Sequence, residues 1–194
     1  MMKYRNINVL YETSEHVESS FSRAKNIDEN LILKMCKYED FEPSNLKKEI
    51  SFAKKAEKHN FGPKIFSYGF HNKIGYIEME RMKVSLKELI HSNNLKLFHV
   101  KSLKKALKQM WKRGKFIHMD LHTENIWFDK KGCAKLIDFG QVYKIDDLTS
   151  VEESRKKLTY STYDIHSLVD FLLPDSKCKN ELIKLKEVMS GNWM

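Results

Sequence analysis

The chain has 194 residues, of which 41% are hydrophobic and 31% are charged. This composition is typical of a globular domain, and no apolar run approaches the roughly 20 residues that a membrane-spanning helix needs. The formal net charge of +9 favours acidic partners such as nucleic acid or acidic protein, without selecting among them.

The cysteines and the first residues of the chain indicate in which cellular compartment the protein is located. Three cysteines are present, and no two of them form a Cys-x-x-Cys pair: Cys36, Cys133 and Cys178. This pattern predicts reduced thiols rather than a disulfide framework. The first residues lack the apolar core of a signal peptide. We therefore expect a cytoplasmic protein that does not associate with membranes.

Three short segments near the beginning have the composition of strands: residues 7–11, 20–25 and 30–38. We expect them to belong to an antiparallel sheet. In the third segment, Lys34 interrupts an otherwise apolar run. Because an unpaired buried charge is costly, its ammonium group requires a carboxylate on a nearby element.

Residues 45–59 predict a helix that can carry this carboxylate. Its apolar residues recur at helical spacing: Leu46, Ile50 and Ala53. Glu49 lies on the apolar side of the helix and is the preferred partner of Lys34. Glu42 and Glu57 are alternatives, and a surface position is the commonest fate of lysine and glutamate alike.

Two further strands, residues 64–71 and 73–82, surround a polar turn. Residues 85–88 have the spacing of a capping box and predict the start of a short helix. Residues 98–114 predict a longer helix with one apolar stripe and one lysine stripe. A lysine stripe of this kind is more often a solvated face than a site for acidic ligands.

The most informative stretch is residues 117–140. It places Asp120 five residues before Asn125, and Asp138 follows thirteen residues later in Asp-Phe-Gly. Two short apolar runs flank residues 129–132, Asp-Lys-Lys-Gly, and predict a hairpin. A hairpin allows Asn125 and Asp138 to converge, and their oxygens suit Mg²⁺. Asp120 would lie beside them and orient or deprotonate an acceptor hydroxyl.

Both motifs together favour a catalytic site, although Asp, Asn and Gly also mark ordinary turns. This stretch resembles the protein-kinase superfamily. The residues that match its H-R-D-L-x-x-x-N catalytic loop and its D-F-G motif are His118, Asp120, Leu121, Asn125, Asp138, Phe139 and Gly140. The short stretch after Gly140 resembles that of minimal kinases, namely RIO-like proteins and small atypical, bacterial, phage or effector-type kinases.

The resemblance implies an α+β, bilobal protein-kinase-like fold. Residues 1–80 are expected to form the N-terminal lobe, an antiparallel sheet with one helix. Residues 81–194 are expected to form a shortened, mostly helical C-terminal lobe. Two more helices are predicted there, over residues 164–173 and 176–189.

The resemblance also implies ATP and Mg²⁺ as cofactors. The residues expected at the nucleotide are Lys34, Glu49, Glu80, Met82, Ser19 and Ser22. Lys34 corresponds to the lysine of the V-A-I-K strand, which contacts phosphates and is held by a helix glutamate, here Glu49. The segment from Met79 to Met82 corresponds to the hinge that binds adenine, although methionines also fill apolar cores.

The implied catalytic residues are Asp120, Lys34 and Asn125, and the implied metal ligands are Asn125 and Asp138. Asp120 acts on the acceptor side. The implied reaction is ATP- and Mg²⁺-dependent transfer of the γ-phosphoryl group to a hydroxyl. A protein serine or threonine is the first choice of acceptor, so a protein substrate or partner is expected.

Three features depart from the family pattern. No glycine precedes Gly62, so the Gly-rich phosphate loop is replaced by residues 17–24, in which serine hydroxyls are available. Met119 replaces the arginine of H-R-D. Only 54 residues follow Gly140, and the A-P-E docking segment is missing from them.

Two other functions remain open. His122, two residues after the catalytic aspartate, is a residue often found in aminoglycoside- and choline-type phosphotransferases, and it favours a small-molecule acceptor. The missing glycines and the charge of +9 favour a kinase-fold module that binds a partner without catalysis.

Overall fold

The computed structural model describes residues 7–12, 15–16, 22–37, 43–71, 73–146, 149–172 and 179–190. Within them, five strands before Arg81 form one antiparallel sheet. In chain order these strands are β1 (Glu15–His16), β2 (Ser22–Asn26), β3 (Leu31–Lys37), β4 (Ile65–His71) and β5 (Ile74–Glu80). Their order across the sheet is β1-β2-β3-β5-β4, which makes β4 an edge strand.

A short helix, α1 (Ile7–Glu12), precedes this sheet. The strand predicted over residues 7–11 is therefore wrong. Tyr11 is buried against Leu33 and Met35 of β3 and packs there together with Leu10. A short apolar run does not distinguish a helix from a strand by its pattern, and packing on the sheet decides between them here.

The helix α2 (Pro43–Lys58) covers the other face of the sheet. Leu46 and Ile50 of α2 are buried against Cys36 of β3 and Ile77 of β5. Successive strand residues point to opposite faces, so Cys36 and its neighbour Met35 contact different helices. Gly75 of β5 permits the close approach, because a Cβ atom at this position would overlap the Leu46 side chain.

The chain after Arg81 contains short strands that position the candidate site. They are β6 (Val84–Ser85), β7 (Phe116–His118), β8 (Ile126–Phe128), β9 (Ala134–Leu136) and β10 (Val142–Lys144). The strands β6, β8 and β9 form an antiparallel sheet in that order, and β10 pairs with β7. The hairpin expected from the two apolar runs is the β8–β9 pair.

Helices surround these strands. They are α3 (Leu86–His91), α4 (Leu97–Gln109), α5 (Val151–Ser161), α6 (Tyr163–Leu172) and α7 (Lys179–Met189). The predicted capping box starts α3, where Ser85 Oγ accepts from the Glu88 N–H at 3.1 Å. The predicted helix over residues 98–114 is α4 followed by a π-helix, Met110–Gly114. None of the described helices is both long enough and apolar enough to cross a membrane.

The end of α2 is anchored to β9. Asn60 has a φ of 62°, and the N–H groups of Phe61 and Gly62 return to the Ala56 carbonyl at 3.0 and 3.1 Å. Lys135 of β9 is buried, and its Nζ donates to Asn60 Oδ1 at 2.6 Å. A cation near the carbonyl end of a helix is favoured by the helix dipole, so Lys135 stabilises this end of α2.

We predict that Gly75→Ala lowers the free energy of unfolding by about 1–3 kcal/mol, because the added methyl group overpacks the contact between β5 and α2. Urea titration measures this change. In a Leu46→Ala background the same substitution should cost less than half as much, because the obstructing side chain is gone. An equal cost in both backgrounds would contradict the packing role of Gly75.

Candidate active site

The β8–β9 hairpin brings the two predicted metal ligands onto adjacent segments. Asn125 directly precedes β8, and Ile137 directly follows β9. The Ile137 N–H donates to the Asn125 carbonyl at 3.0 Å. Asp138 is the next residue, and its φ of 62° lies in the left-handed region. Aspartate tolerates this region better than most side chains.

The Asn125 side chain is buried, and its amide nitrogen is turned into the predicted catalytic loop, residues 118–125. Nδ2 donates to the Asp120 carbonyl at 2.8 Å and lies 2.9 Å from Nε2 of His122. Oδ1 accepts no hydrogen bond from the residues that the structure describes. Together with the carboxylate of Asp138 it offers hard oxygen donors, so the donor set fits Mg²⁺.

One ammonium group joins two carboxylates in this site. Lys34 Nζ lies 2.7 Å from Glu49 Oε1 on α2 and 2.8 Å from Asp138 Oδ1. The Glu49 side chain is only 6% exposed and that of Lys34 14%, whereas that of Asp138 is 26% exposed. The predicted partner of Lys34 is therefore in contact with it, and Asp138 remains the most accessible of the three groups.

The charges of these groups are strongly coupled. Burial alone would lower the pKa of Lys34, but attraction to Glu49 and Asp138 outweighs burial and raises it. Burial raises the pKa of Glu49, although Lys34 opposes this. Burial also disfavours ionised Asp138, but the Lys34 ammonium group lowers the pKa of Asp138 overall. Because one cation faces two carboxylates, the cluster retains negative charge that favours a further cation.

His118 holds the catalytic loop through a single neutral tautomer. Its Nε2 lies 2.8 Å from the Ile137 carbonyl, and its Nδ1 accepts from the Asp120 N–H at 3.2 Å. A carbonyl only accepts, so Nε2 carries the proton and Nδ1 is the acceptor. Burial lowers the pKa of His118, although the bond to Ile137 opposes this. The histidine therefore ties the loop to the residue before Asp138.

Asp120 presents a carboxylate that is not engaged in the loop. Its backbone accepts from Asn125 and donates to His118, which fixes the main chain. The carboxylate accepts no hydrogen bond from the described part of the chain. It is half-buried. This combination of a fixed main chain and a free carboxylate suits a group that receives the proton of a substrate.

Aromatic rings connect α2 to the catalytic loop. Phe52 of α2 lies 5.0 Å from Phe116 of β7, and Phe116 lies 5.8 Å from Phe139. Phe139 in turn lies 5.4 Å from His118. These edge-to-face and tilted contacts contribute packing beyond their buried area. The helix that carries Glu49 and the segment that carries Asp138 therefore pack through shared side chains.

The predicted hinge contains backbone groups that form no hydrogen bond within the described residues. The Glu80 N–H donates to the Lys64 carbonyl, and the Arg81 N–H donates to the Asn30 carbonyl, each at 2.8 Å. Met82 is buried, and its backbone N–H and carbonyl form no hydrogen bond within the described residues. A ring with a donor and an acceptor edge, such as adenine, can pair with them. Met79 packs against the apolar contact between α2 and the sheet.

The structure does not describe the side chains of two serines that were predicted at the nucleotide. Ser19 lies outside the described residues, and so does the side chain of Ser22.

The contact of His122 with Asn125 was not anticipated, because spacing alone does not determine which way an amide turns. The only sequence feature that could have indicated this contact was the three-residue separation of His122 and Asn125 within a tight loop. Among the described residues no three His, Cys, Asp or Glu side chains form a metal cluster.

A comparison with protein families identifies the fold. The family described as "Protein kinase domain" matches residues 18–164. The matched region includes Lys34, Glu49, the catalytic loop and Asp138. A comparison with curated proteins finds no match. The family match covers most of the chain, and the sheet, helix α2 and hairpin described above have the mixed helix and strand content expected of this fold. The chain belongs to the protein kinase domain family.

Proposed function

We propose that this protein transfers the γ-phosphoryl group of ATP to a hydroxyl acceptor with the help of Mg²⁺, and that the acceptor is a serine or threonine of a protein. The observation that supports this most directly is Lys34, whose ammonium group is held between Glu49 and Asp138. Phosphoryl transfer requires this ion pair and this aspartate in place together.

Each residue has a defined role in this proposal. Lys34 contacts the phosphates, and Glu49 fixes its position. The carboxylate of Asp138 and Oδ1 of Asn125 hold the metal ion. Bound Mg²⁺ neutralises charge on the phosphates as they react. The backbone at Glu80 and Met82 binds the adenine ring.

The acceptor side depends on Asp120. The acceptor oxygen forms a new bond to the γ-phosphorus, the bond from that phosphorus to the β-phosphate oxygen breaks, and ADP leaves. The hydroxyl proton passes to the carboxylate of Asp120. Because the loop fixes the main chain of Asp120 through Asn125 and His118, the carboxylate requires little reorganisation.

Asp120→Asn should lower phosphoryl transfer at least about 100-fold, because an amide cannot accept the proton. Affinity for Mg-ATP should stay within a few fold, since Asp120 contacts neither the adenine ring nor the metal. The assay follows radiolabel from ATP, with Mg²⁺, into proteins and into small molecules of a cell lysate. Glu187→Gln, a change of an exposed carboxylate on α7, is the control.

The same assay tests the proposed acceptor. Label on serine or threonine residues of proteins supports the proposal, and label only in small molecules contradicts the protein acceptor. If the wild-type protein binds Mg-ATP but labels no protein or small molecule, the proposed catalytic function is wrong and a binding function takes its place. Wild-type activity in the Asp120→Asn variant would refute the role of that carboxylate.

Asp138→Asn should remove the part of nucleotide binding that depends on Mg²⁺, because a neutral amide supplies less charge to the cation. Thermal unfolding is measured with ATP alone and with Mg-ATP. In the wild-type protein Mg²⁺ should increase the stabilisation by ATP, and in the variant the two melting temperatures should coincide. An undiminished effect of Mg²⁺ in Asp138→Asn would contradict metal binding at this residue.

Activity should not require phosphorylation between Gly140 and Asp164. Met119 is apolar and packs against the core, so it cannot pair with a loop phosphate. The strand β10 pairs with β7, and α5 follows with its N-cap at Ser150, so residues 142–144 and 151–161 of this segment are folded without a phosphate.

Initial rates before and after phosphatase treatment test this expectation. A variant that removes three exposed hydroxyls, Thr159→Ala with Tyr160→Phe and Tyr163→Phe, should also retain activity. A loss above about tenfold in both experiments, equal to about 1.4 kcal/mol of transition-state stabilisation, would reveal a phosphorylation switch.

A further inference from the structure

A strip of aromatic rings and lysines runs along the edge strand β4. Phe66 is 45% exposed and Tyr68 46% exposed, whereas Phe70, two residues after Tyr68, is half-buried and packs against the apolar contact between α2 and the sheet. A lysine lies over each ring. We name these six residues the aromatic–lysine strip: Phe66, Tyr68, Phe70, Lys47, Lys54 and Lys64.

The cations lie close to the ring faces. Lys64 Nζ lies 5.0 Å from the centre of Phe66, and Lys54 Nζ lies 4.7 Å from that of Tyr68. Lys54 also donates to the Tyr68 hydroxyl at 3.2 Å. Contacts of this type between lysine and an exposed ring are weak. The ammonium groups can therefore move to a stronger anion and leave the faces of Phe66 and Tyr68 available.

The strip continues into a basic surface. The helix α2 contains five lysines: Lys47, Lys48, Lys54, Lys55 and Lys58. None of them, and not Lys64, pairs with a carboxylate in the described part of the chain. Beyond the end of α2, burial first and then Lys58 and Arg113 lower the pKa of His59. Positive charge thus extends past the helix, in a chain whose net charge is +9.

We propose that the aromatic–lysine strip binds single-stranded nucleic acid. The lysines match a phosphate backbone, and the exposed rings of Phe66 and Tyr68 offer planar faces to unpaired bases. An acidic peptide would use the charges but has no planar groups to place on the two exposed rings. None of the six residues is assigned to phosphoryl transfer, so this binding is a separate property of the protein.

The position of β4 favours this ligand further. Because β4 is the outermost strand of its sheet, no other described strand covers the rings on that side. The sheet pairing is irregular between Ile65 and Ser67, and Phe66 lies at this bulge. Bulges redirect side chains at sheet edges. Double-stranded nucleic acid keeps its bases stacked on one another, so only a single strand can use the rings.

Fluorescence anisotropy with labelled 12-nucleotide uridine and thymidine strands tests the proposal on the full chain. Both strands should bind, and a 12-base-pair duplex and a 12-residue glutamate peptide should bind at least about tenfold more weakly. Phe66→Ala and Tyr68→Ala should each weaken single-strand binding about tenfold. Phe66→Leu and Tyr68→Leu should behave likewise, because they retain apolar bulk without a ring.

Changes to the lysines should alter the salt dependence of binding. Lys54→Gln and Lys64→Gln should each reduce the slope of log K against log salt by about 0.7, the value for one phosphate contact on a single strand. Matched controls remove a ring and charges elsewhere. Tyr160→Ala removes an exposed ring on α5, and Lys101→Gln with Lys105→Gln removes two exposed lysines on α4. These controls should change neither affinity nor slope appreciably.

Three results would overturn the proposal. The first is the absence of single-strand binding at low salt. The second is an equal loss of affinity in the control variants, which would indicate diffuse attraction by net charge. The third is binding of the glutamate peptide as tight as that of the single strands, which would assign the strip to an acidic protein partner. Unchanged stabilisation by Mg-ATP in the Phe66 and Tyr68 variants shows that they remain folded.

Discussion

The ammonium group of Lys34 is the contact on which the arrangement of this protein depends. It joins a strand, the helix α2 and the segment after the hairpin, which are 15 and 104 residues away along the chain. All three side chains are at least partly buried, so removal of the ammonium group leaves the two carboxylates uncompensated, and such a loss costs about 3–5 kcal/mol. The sheet and the helical part of the chain are therefore coupled by charge as well as by packing.

The catalytic loop is held by neutral groups rather than by further charges. His118 supplies one donor and one acceptor, and the amide of Asn125 spans the loop. Met119 occupies the position between His118 and Asp120 and packs into the apolar core. A loop built in this way keeps its shape without a counter-charge from the following segment. The absence of an arginine before Asp120 is thus compatible with an ordered site.

Much of this arrangement could be predicted from the sequence, because it rests on local patterns. The hairpin, the helix that carries Glu49 and the capping box at Ser85 follow from periodicity and turn residues. The helix α1 could not be predicted, since its short apolar run takes its form from contacts with the sheet. The side-chain orientation of Asn125 could not be predicted either, because spacing alone does not determine which way an amide turns within a tight loop. The position of Lys54 over the Tyr68 ring depends on how α2 packs beside β4. Helix α5 was missed because its polar residues show only weak periodicity.

The anchoring of α2 by Lys135 has a consequence for chemical inhibition. Many kinases are controlled by the position of the corresponding helix. Here a hydrogen bond from Lys135 to Asn60 holds the far end of α2, and the ion pair between Glu49 and Lys34 holds its middle. A compound that requires a displaced helix must break both contacts before it binds, and that energy is subtracted from its affinity. Compounds that bind beside Lys34 and Asp138 while the helix stays in place have no such penalty, so they are the better starting points for drug discovery against this protein.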